Sequence, residues 1–149
     1  MKNSQILILA AAASAALLAS TVQADSFTLL LYESKSDLSA RTHPEKSAAY
    51  WAAYGDYARK MTEAGILRGG SALSGNAGTH TVSLVEGKPR TTERPLAISS
   101  LELGGYFIIE VANREAALEW ARKAPCLATG AVEVKPHSPN PTMPAKASL

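Results

Sequence analysis

The stretch "LGGYFIIEVANREAALEWARKAP", residues 103–125, contains the clearest secondary-structure signals of the chain. In an extended conformation the side chains of its first half alternate, so that Tyr106 and Ile108 face one way and Phe107 and Ile109 face the other. Both faces of this strand, residues 104–111, are largely apolar. Because a large apolar sheet face is seldom left open to water, we expect both sides of the strand to be covered.

The second half of the stretch predicts an amphipathic helix that begins after Asn113, a residue type favoured at helix N-caps. Its apolar stripe consists of Ala117, Trp120, Ala121 and Ala124, while the charged residues lie elsewhere around the helix. Pro125 is expected to end the helix, since proline cannot continue it. The stretch therefore predicts a strand followed directly by a helix.

Four further segments complete the secondary structure. The segments "SFTLLLYE" (26–33) and "GAVEVK" (130–135) have the composition of strands. Apolar residues spaced three and four apart predict a helix within residues 44–65, and "GILRGGSAL" (65–73) reads as extended. Residues 79–92 also read as extended, with a hairpin turn at Glu86-Gly87-Lys88.

The resulting order is β, α, several β, α, β, without internal repeats. This order predicts an α+β domain of ferredoxin-like type, with two main helices on one face of an antiparallel sheet. The opposite sheet face then needs a cover. We expect a second copy of the chain to provide it, which predicts a homodimer.

The N-terminus has the layout of a secretory signal: Lys2, an uncharged apolar run over residues 6–19, and a polar segment that ends at Ala24. The apolar run is shorter than the roughly 20 residues that span a bilayer. We therefore expect residues 1–24 to be cleaved and the mature protein to be periplasmic or secreted; a retained anchor is the alternative. Residues 25–136 then form the domain, and the proline-rich residues 137–149 form a flexible tail.

The charge balance excludes two classes of partner. Loss of Lys2 with the signal leaves 14 basic residues against 13 acidic ones, from 15 and 13 in the full chain. No concentration of basic residues marks one part of the sequence, so we expect no nucleic-acid partner and, after signal cleavage, no membrane partner. Cys126 is the only cysteine. It is expected to be a small apolar filler, with a reactive thiol as the alternative.

Several segments together resemble the YCII-related, or DGPF-domain, family. They are "AAYGDYARKMTEAGILRGGSAL" (52–73), "TVSLVEGKP" (81–89), the opening stretch and "GAVEVKP" (130–136). The resemblance covers residues 26–136 and implies a dimeric α+β barrel with a cleft between the sheet and its connecting loops. It also implies that a few relatives are lyases or similar small-molecule enzymes, in which a histidine and an aspartate act together.

The family's Asp-Gly-Pro-Phe signature aligns with Glu93-Arg94-Pro95-Leu96, so this chain keeps only the proline. Glu93 is a candidate general acid or base, and His80, at the start of a predicted strand, is its candidate partner. The alternatives are a solvated turn acid paired with Arg94 or Arg90 and a water-exposed histidine at a strand edge.

Three further residues are candidates for ligand binding. Arg94 is expected to anchor an anionic group, because Pro95 restricts it to an extended conformation. Tyr106 and Tyr32 are candidate hydrogen-bond donors on strands, although tyrosines at such positions are more often core residues.

No Cys/His cluster, HExxH, GxSxG or phosphate loop is present in the sequence, so no metal and no cofactor are expected. Two hypotheses follow. The first is a non-catalytic homodimer that binds a small ligand or a partner in the periplasm. The second is a cofactor-independent lyase or isomerase that transfers protons through His80 and Glu93. The altered signature favours the first, and whether the protein is an enzyme stays open at this point.

Overall fold

The structure, a computed structural model, describes residues 24–138. Along the chain the elements are β1 (Asp25–Ser34), α1 (Lys35–Ala40), α2 (Ser47–Glu63), β2 (Leu67–Ala72), β3 (Thr81–Val85), β4 (Lys88–Thr92), β5 (Leu101–Val111), α3 (Arg114–Ala121) and β6 (Ala131–Pro136). A single 3-10 turn, Pro125–Ala128, precedes β6. The predicted signal, apart from Ala24, and the tail from residue 139 lie outside the described residues.

Four strands form an antiparallel sheet in the order β2-β5-β1-β6. With β3 and β4 set aside, this is the strand order of a ferredoxin-like βαββαβ fold, as the sequence predicted. Strands β3 and β4 pair only with each other and form a hairpin between β2 and β5. Its turn has positive φ at both Glu86 (51°) and Gly87 (76°), which confirms the predicted turn and suits a tight two-residue hairpin.

The core lies between one sheet face and helices α2 and α3. Strand β1 contributes Phe27, Leu29 and Leu31, and its register sets Phe27 opposite Ile109 of β5. The helices contribute Tyr57, Met61, Ala117 and Ala121. The alternation predicted for β5 is confirmed, because Ile109 and Val111 are buried in this core.

The other sheet face has no helix packed on it in the described part of the chain. Its side chains come from the alternate positions of β1 and β5, where Leu30 pairs with Tyr106 and Thr28 with Ile108. These four residues are only partly buried. An apolar strip therefore runs along the open face.

Some boundaries differ from those expected. Helix α3 ends at Ala121, four residues before Pro125, and Pro125 instead begins the 3-10 turn. Helix α2 begins at Ser47 rather than at Pro44. Helix α1 was not expected: it is six residues long, too short for a visible apolar period, and the Ser34 side chain caps it by accepting from the Asp37 N–H.

Candidate functional site

A buried carboxylate lies at the end of β1, where Glu33 is 1% exposed. It lies on the helix-facing side of the strand, the same side as Leu29 and Leu31. Its Oε1 accepts hydrogen bonds from the hydroxyl groups of Tyr50 and Tyr54, each at 2.7 Å. Its Oε2 forms an ion pair with Arg41. A buried charge needs such partners, because without them the cost of leaving water is not recovered.

Arg41 follows α1 and contacts the other oxygen of the same carboxylate. Besides Glu33, its guanidinium donates to the Tyr50 hydroxyl at 2.8 Å, to the Gly104 carbonyl at 2.6 Å and to the Leu73 carbonyl. These contacts use four of its five N–H groups. Its Cζ lies 5.4 Å from the ring centroid of Tyr50 and 5.8 Å from that of Trp51, within range of cation–π attraction.

Gly104 makes room for this ion pair. It lies at an irregularity in the pairing of β5 with β1, since Leu31 pairs with Gly105 while Tyr32 pairs with Leu103. A Cβ at Gly104 would lie 1.8 Å from Glu33 Oε2 and 2.7 Å from an Arg41 nitrogen. No larger residue therefore fits there unless the pair moves, and the local bulge brings the backbone carbonyl within reach of Arg41.

The ion pair lies at the wall of a cavity of about 300 Å³ between the sheet and α2. Besides the ion pair, the lining is formed by Leu31, Tyr50, Trp51, Tyr54, Gly55, Gly70, Ser71, Ala72, Gly104, Gly105 and Phe107. Aromatic rings and glycine backbone make up most of this surface. A concave, mostly apolar site with a few converging polar groups is the usual form of a small-molecule site.

The tyrosine hydroxyls of the site are poor acids. Burial, followed by the hydrogen bond to Glu33, raises the pKa of Tyr50 to about 12 and also raises the pKa of Tyr54. Burial and the charge of Glu33 raise the pKa of the Cys126 thiol to about 11. All three groups therefore stay protonated at neutral pH, and the tyrosines act as hydrogen-bond donors. Cys126 is buried, as expected for a filler.

His80 and Glu93 lie at the open end of the β3–β4 hairpin, and neither of them lines this cavity. They flank the hairpin pair Thr81 and Thr92, so their strands are neighbours, a condition for pairing that the sequence left open. Both side chains are exposed. Nδ1 of His80 lies 3.0 Å from the carbonyl of Gly78, and within residues 24–138 no hydrogen bond or ion pair joins His80 to Glu93.

The three predicted ligand-binding residues do not line the cavity either. Arg94 is exposed at the base of the hairpin, where its backbone carbonyl accepts from the Thr81 hydroxyl at 2.7 Å. Tyr106 and Tyr32 lie on the open sheet face, and Tyr32 donates to Glu133 at 3.0 Å. The five residues singled out from sequence thus occupy two separate surfaces, and the structure does not bring them into one site.

The residues that do form the cavity left a signal in the sequence. Glu33 follows Phe27, Leu29 and Leu31 on one face of β1, so the alternation alone sets an acid on an apolar face. Tyr50 and Tyr54 are one helical turn apart on α2. An acid on an apolar strand face is therefore the signal that could have indicated this site, and the sequence analysis did not use it.

Between residues 24 and 138, no three His, Cys, Asp or Glu side chains are grouped as metal ligands would be. None of the helices described in that range is long and apolar enough to cross a membrane.

The chain belongs to the YCII-related domain family. The profile of that domain matches residues 8–139, which is most of the chain and confirms the resemblance found in the sequence. The match begins inside the segment predicted to be a signal, so the domain boundaries stay a prediction. No curated protein matches the chain.

Proposed function

We propose that this YCII-related protein is a small-ligand-binding homodimer of the periplasm and that its ligand occupies the cavity beside Glu33. The observation that carries the proposal is the cavity of about 300 Å³, open beside an ion pair whose buried nitrogen and oxygen atoms each have at least one hydrogen-bond partner. A packed core would fill such a space, because unfilled apolar volume destabilises a protein.

Binding is favoured over proton-transfer chemistry by the state of the groups in the cavity. The raised pKa values keep Tyr50 and Tyr54 protonated, so neither serves as a base near neutral pH. The charge of Glu33 is matched by Arg41. The His80 and Glu93 pair of the lyase or isomerase hypothesis is exposed to water, where nothing excludes solvent from a reacting molecule.

Gly55 supports a binding role for the cavity. It lies in the middle of α2, where glycine costs roughly 0.5–1 kcal/mol relative to alanine. A Cβ at this position would meet no atom within 4 Å, so packing does not require glycine. Gly55 lines the cavity, and we infer that its missing side chain keeps the cavity open.

The homodimer is supported by the open sheet face. Leu30, Tyr106 and Ile108 lie on it and are only partly buried, and the helices lie on the other side. A second sheet packed on this face would remove the apolar strip from water. Light scattering of the mature domain is expected to give twice the chain mass at micromolar concentration, and a clean monomer would contradict the dimer.

Export is supported by the signal layout of residues 1–24. Intact-mass measurement of protein from the periplasmic fraction of the producing cell is expected to show a chain that starts at or near Asp25. Full-length protein found only in the cytoplasm would contradict export.

The ligand site is tested with a matched pair of variants on α2. Gly55→Leu fills the cavity from the helix, whereas Ala52→Leu adds the same side chain at an exposed position that does not line it. A metabolite library is screened by thermal shift, since a ligand that binds only the folded state raises Tm. We expect hits with wild type and Ala52→Leu that disappear with Gly55→Leu. A library without any hit sensitive to Gly55→Leu would overturn the proposed site.

A further inference from the structure

The charges in the cavity cancel. Glu33 and Arg41 are the charged residues that line it, and they are paired with each other. A cationic ligand would have to compete with Arg41 for the carboxylate, and an anionic one would have to compete with Glu33 for the guanidinium. Breaking a buried ion pair leaves one charge without a partner, which is strongly unfavourable.

Few hydrogen-bonding groups are left for a charged ligand. Four of the five N–H groups of Arg41 are engaged, and Glu33 already accepts from two tyrosines and from Arg41. One guanidinium N–H, one lone-pair site of the Glu33 carboxylate, the oxygen lone pairs of the tyrosines and the Ser71 hydroxyl remain, but no charge is left without its counter-charge. These suffice for one or two neutral polar groups on a ligand, but not for a carboxylate, a phosphate or an ammonium group.

The walls of the cavity suit an aromatic ring. Trp51, Tyr54 and Phe107 present ring surfaces, and aromatic pairs attract each other beyond the effect of buried area. Gly70, Gly104 and Gly105 present bare backbone, which allows close approach of a ligand. The volume of about 300 Å³ is also roughly twice the 150 Å³ that holds a benzene molecule in an engineered apolar cavity, so two fused rings fit.

We infer that the cavity takes a small uncharged molecule with one or two aromatic rings. This inference rests on the ligand-binding function proposed above and adds the chemical class of the ligand. The ligand class inferred for the cavity therefore differs from the anionic ligand that was expected for Arg94 at the hairpin base.

The test uses three probes that share a ring system and differ in charge at neutral pH: indole, which is neutral, indole-3-acetate, which is anionic, and tryptamine, which is cationic. Their affinities for the mature protein are measured by ligand-observed and protein-observed NMR titration. We expect indole to bind at least tenfold more tightly than either charged probe. We also expect indole binding to be lost in Gly55→Leu and kept in Ala52→Leu. Raising the salt concentration is expected to leave its affinity unchanged, because a neutral ligand makes no charge–charge contact that salt could screen.

The outcomes separate this inference from the function on which it rests. If a charged probe binds as tightly as indole and its binding is lost in Gly55→Leu, the ligand class is wrong while the cavity remains a binding site. If none of the three probes binds but the library gives a charged ligand sensitive to Gly55→Leu, the class is again wrong. If the library gives no ligand sensitive to Gly55→Leu, the proposed function itself is overturned.

Discussion

The Glu33 site at the end of β1 and the base of the β3–β4 hairpin differ in whether their charged side chains are buried or exposed to water. At the end of β1, Glu33 is buried, and its oxygens and those of its partners are joined by short hydrogen bonds. At the base of the β3–β4 hairpin, Glu93 and Arg94 lie in water. Apolar residues of this region are exposed as well: Leu84, near the hairpin tip, is 72% exposed, and Ile98, after the hairpin, is 84% exposed. Glu93 and Arg94 are adjacent in the sequence, whereas Glu33 and Arg41 are eight residues apart. Only the pair that is distant in sequence has the geometry of a site.

The difference teaches that clustering of charges in sequence is a poor guide to a site, whereas a charge on a buried face is a good one. A solvated charge is weakly coupled to its surroundings, since exposed pairs contribute about 0–1 kcal/mol. A buried charge must be matched by partners from elsewhere in the fold. Its position therefore identifies the residues that act together.

The largest expected effect is on stability and concerns the two arginines. Arg41→Met leaves the buried Glu33 carboxylate without its cation and is expected to lower the free energy of unfolding by about 3–5 kcal/mol. Arg94→Met, the matched change at the exposed hairpin base, is expected to change it by less than about 0.5 kcal/mol. Urea unfolding of both variants measures the contrast. Equal losses for the two would remove the distinction between the two regions.

The next effect concerns the hydroxyl groups that donate to Glu33. Tyr54→Phe removes one hydrogen bond to a buried carboxylate and is expected to cost about 1.5–3 kcal/mol of unfolding free energy. Tyr32→Phe also removes a hydrogen bond to a glutamate, but that bond is exposed, and its loss is expected to cost less than about 1 kcal/mol. The same denaturant titration compares them. A cost for Tyr32→Phe that matches that of Tyr54→Phe would contradict the assigned burial of the site.

A pair of glycines is expected to give effects of opposite sign. Gly55→Ala is expected to raise the free energy of unfolding by about 0.5–1 kcal/mol, because alanine favours the helix and its Cβ meets open space. Gly87→Ala is expected to lower it by about 1–2 kcal/mol, since φ at Gly87 is +76° and disfavours a side chain. Thermal and urea unfolding give both signs. A destabilising Gly55→Ala would mean that packing, rather than an open cavity, requires that glycine.

The sequence predicted the local parts of this fold well. Three confirmed features each depend on a few neighbouring residues: the alternation of β5, the cap at Asn113 and the turn at Glu86 and Gly87. The Asn113 side chain accepts from the Ala116 N–H. The α+β class followed from their order. Helix α1 was not predicted because six residues are too few to show a helical period.

The site was harder to predict because its parts come together only in the folded chain. Glu33, Arg41 and Tyr54 come from a strand, the end of a short helix and a second helix. Their contacts depend on how those elements pack, which no spacing rule gives. Of the residues chosen from sequence, Glu93 and Arg94 belong to the signature segment, which lies at the base of the hairpin, whereas Tyr32 and Tyr106 lie on the open sheet face.

The smallest expected effects are on ligand affinity and come from the hairpin base. Once a ligand whose binding is lost in Gly55→Leu is known, His80→Ala, Glu93→Gln and Arg94→Ala are each expected to change its Kd by less than about twofold. None of these side chains lines the cavity, and all three are exposed, so salt screens the charges of Glu93 and Arg94. Calorimetric titration at two salt concentrations measures the change, with Ala52→Leu as the control for surface substitution. A tenfold loss of affinity in Arg94→Ala, on the order of 1.4 kcal/mol, would mean that the hairpin base contacts the ligand directly. The segment "TTERP" would then be part of the site, and the hairpin would have to move onto the cavity when the ligand binds.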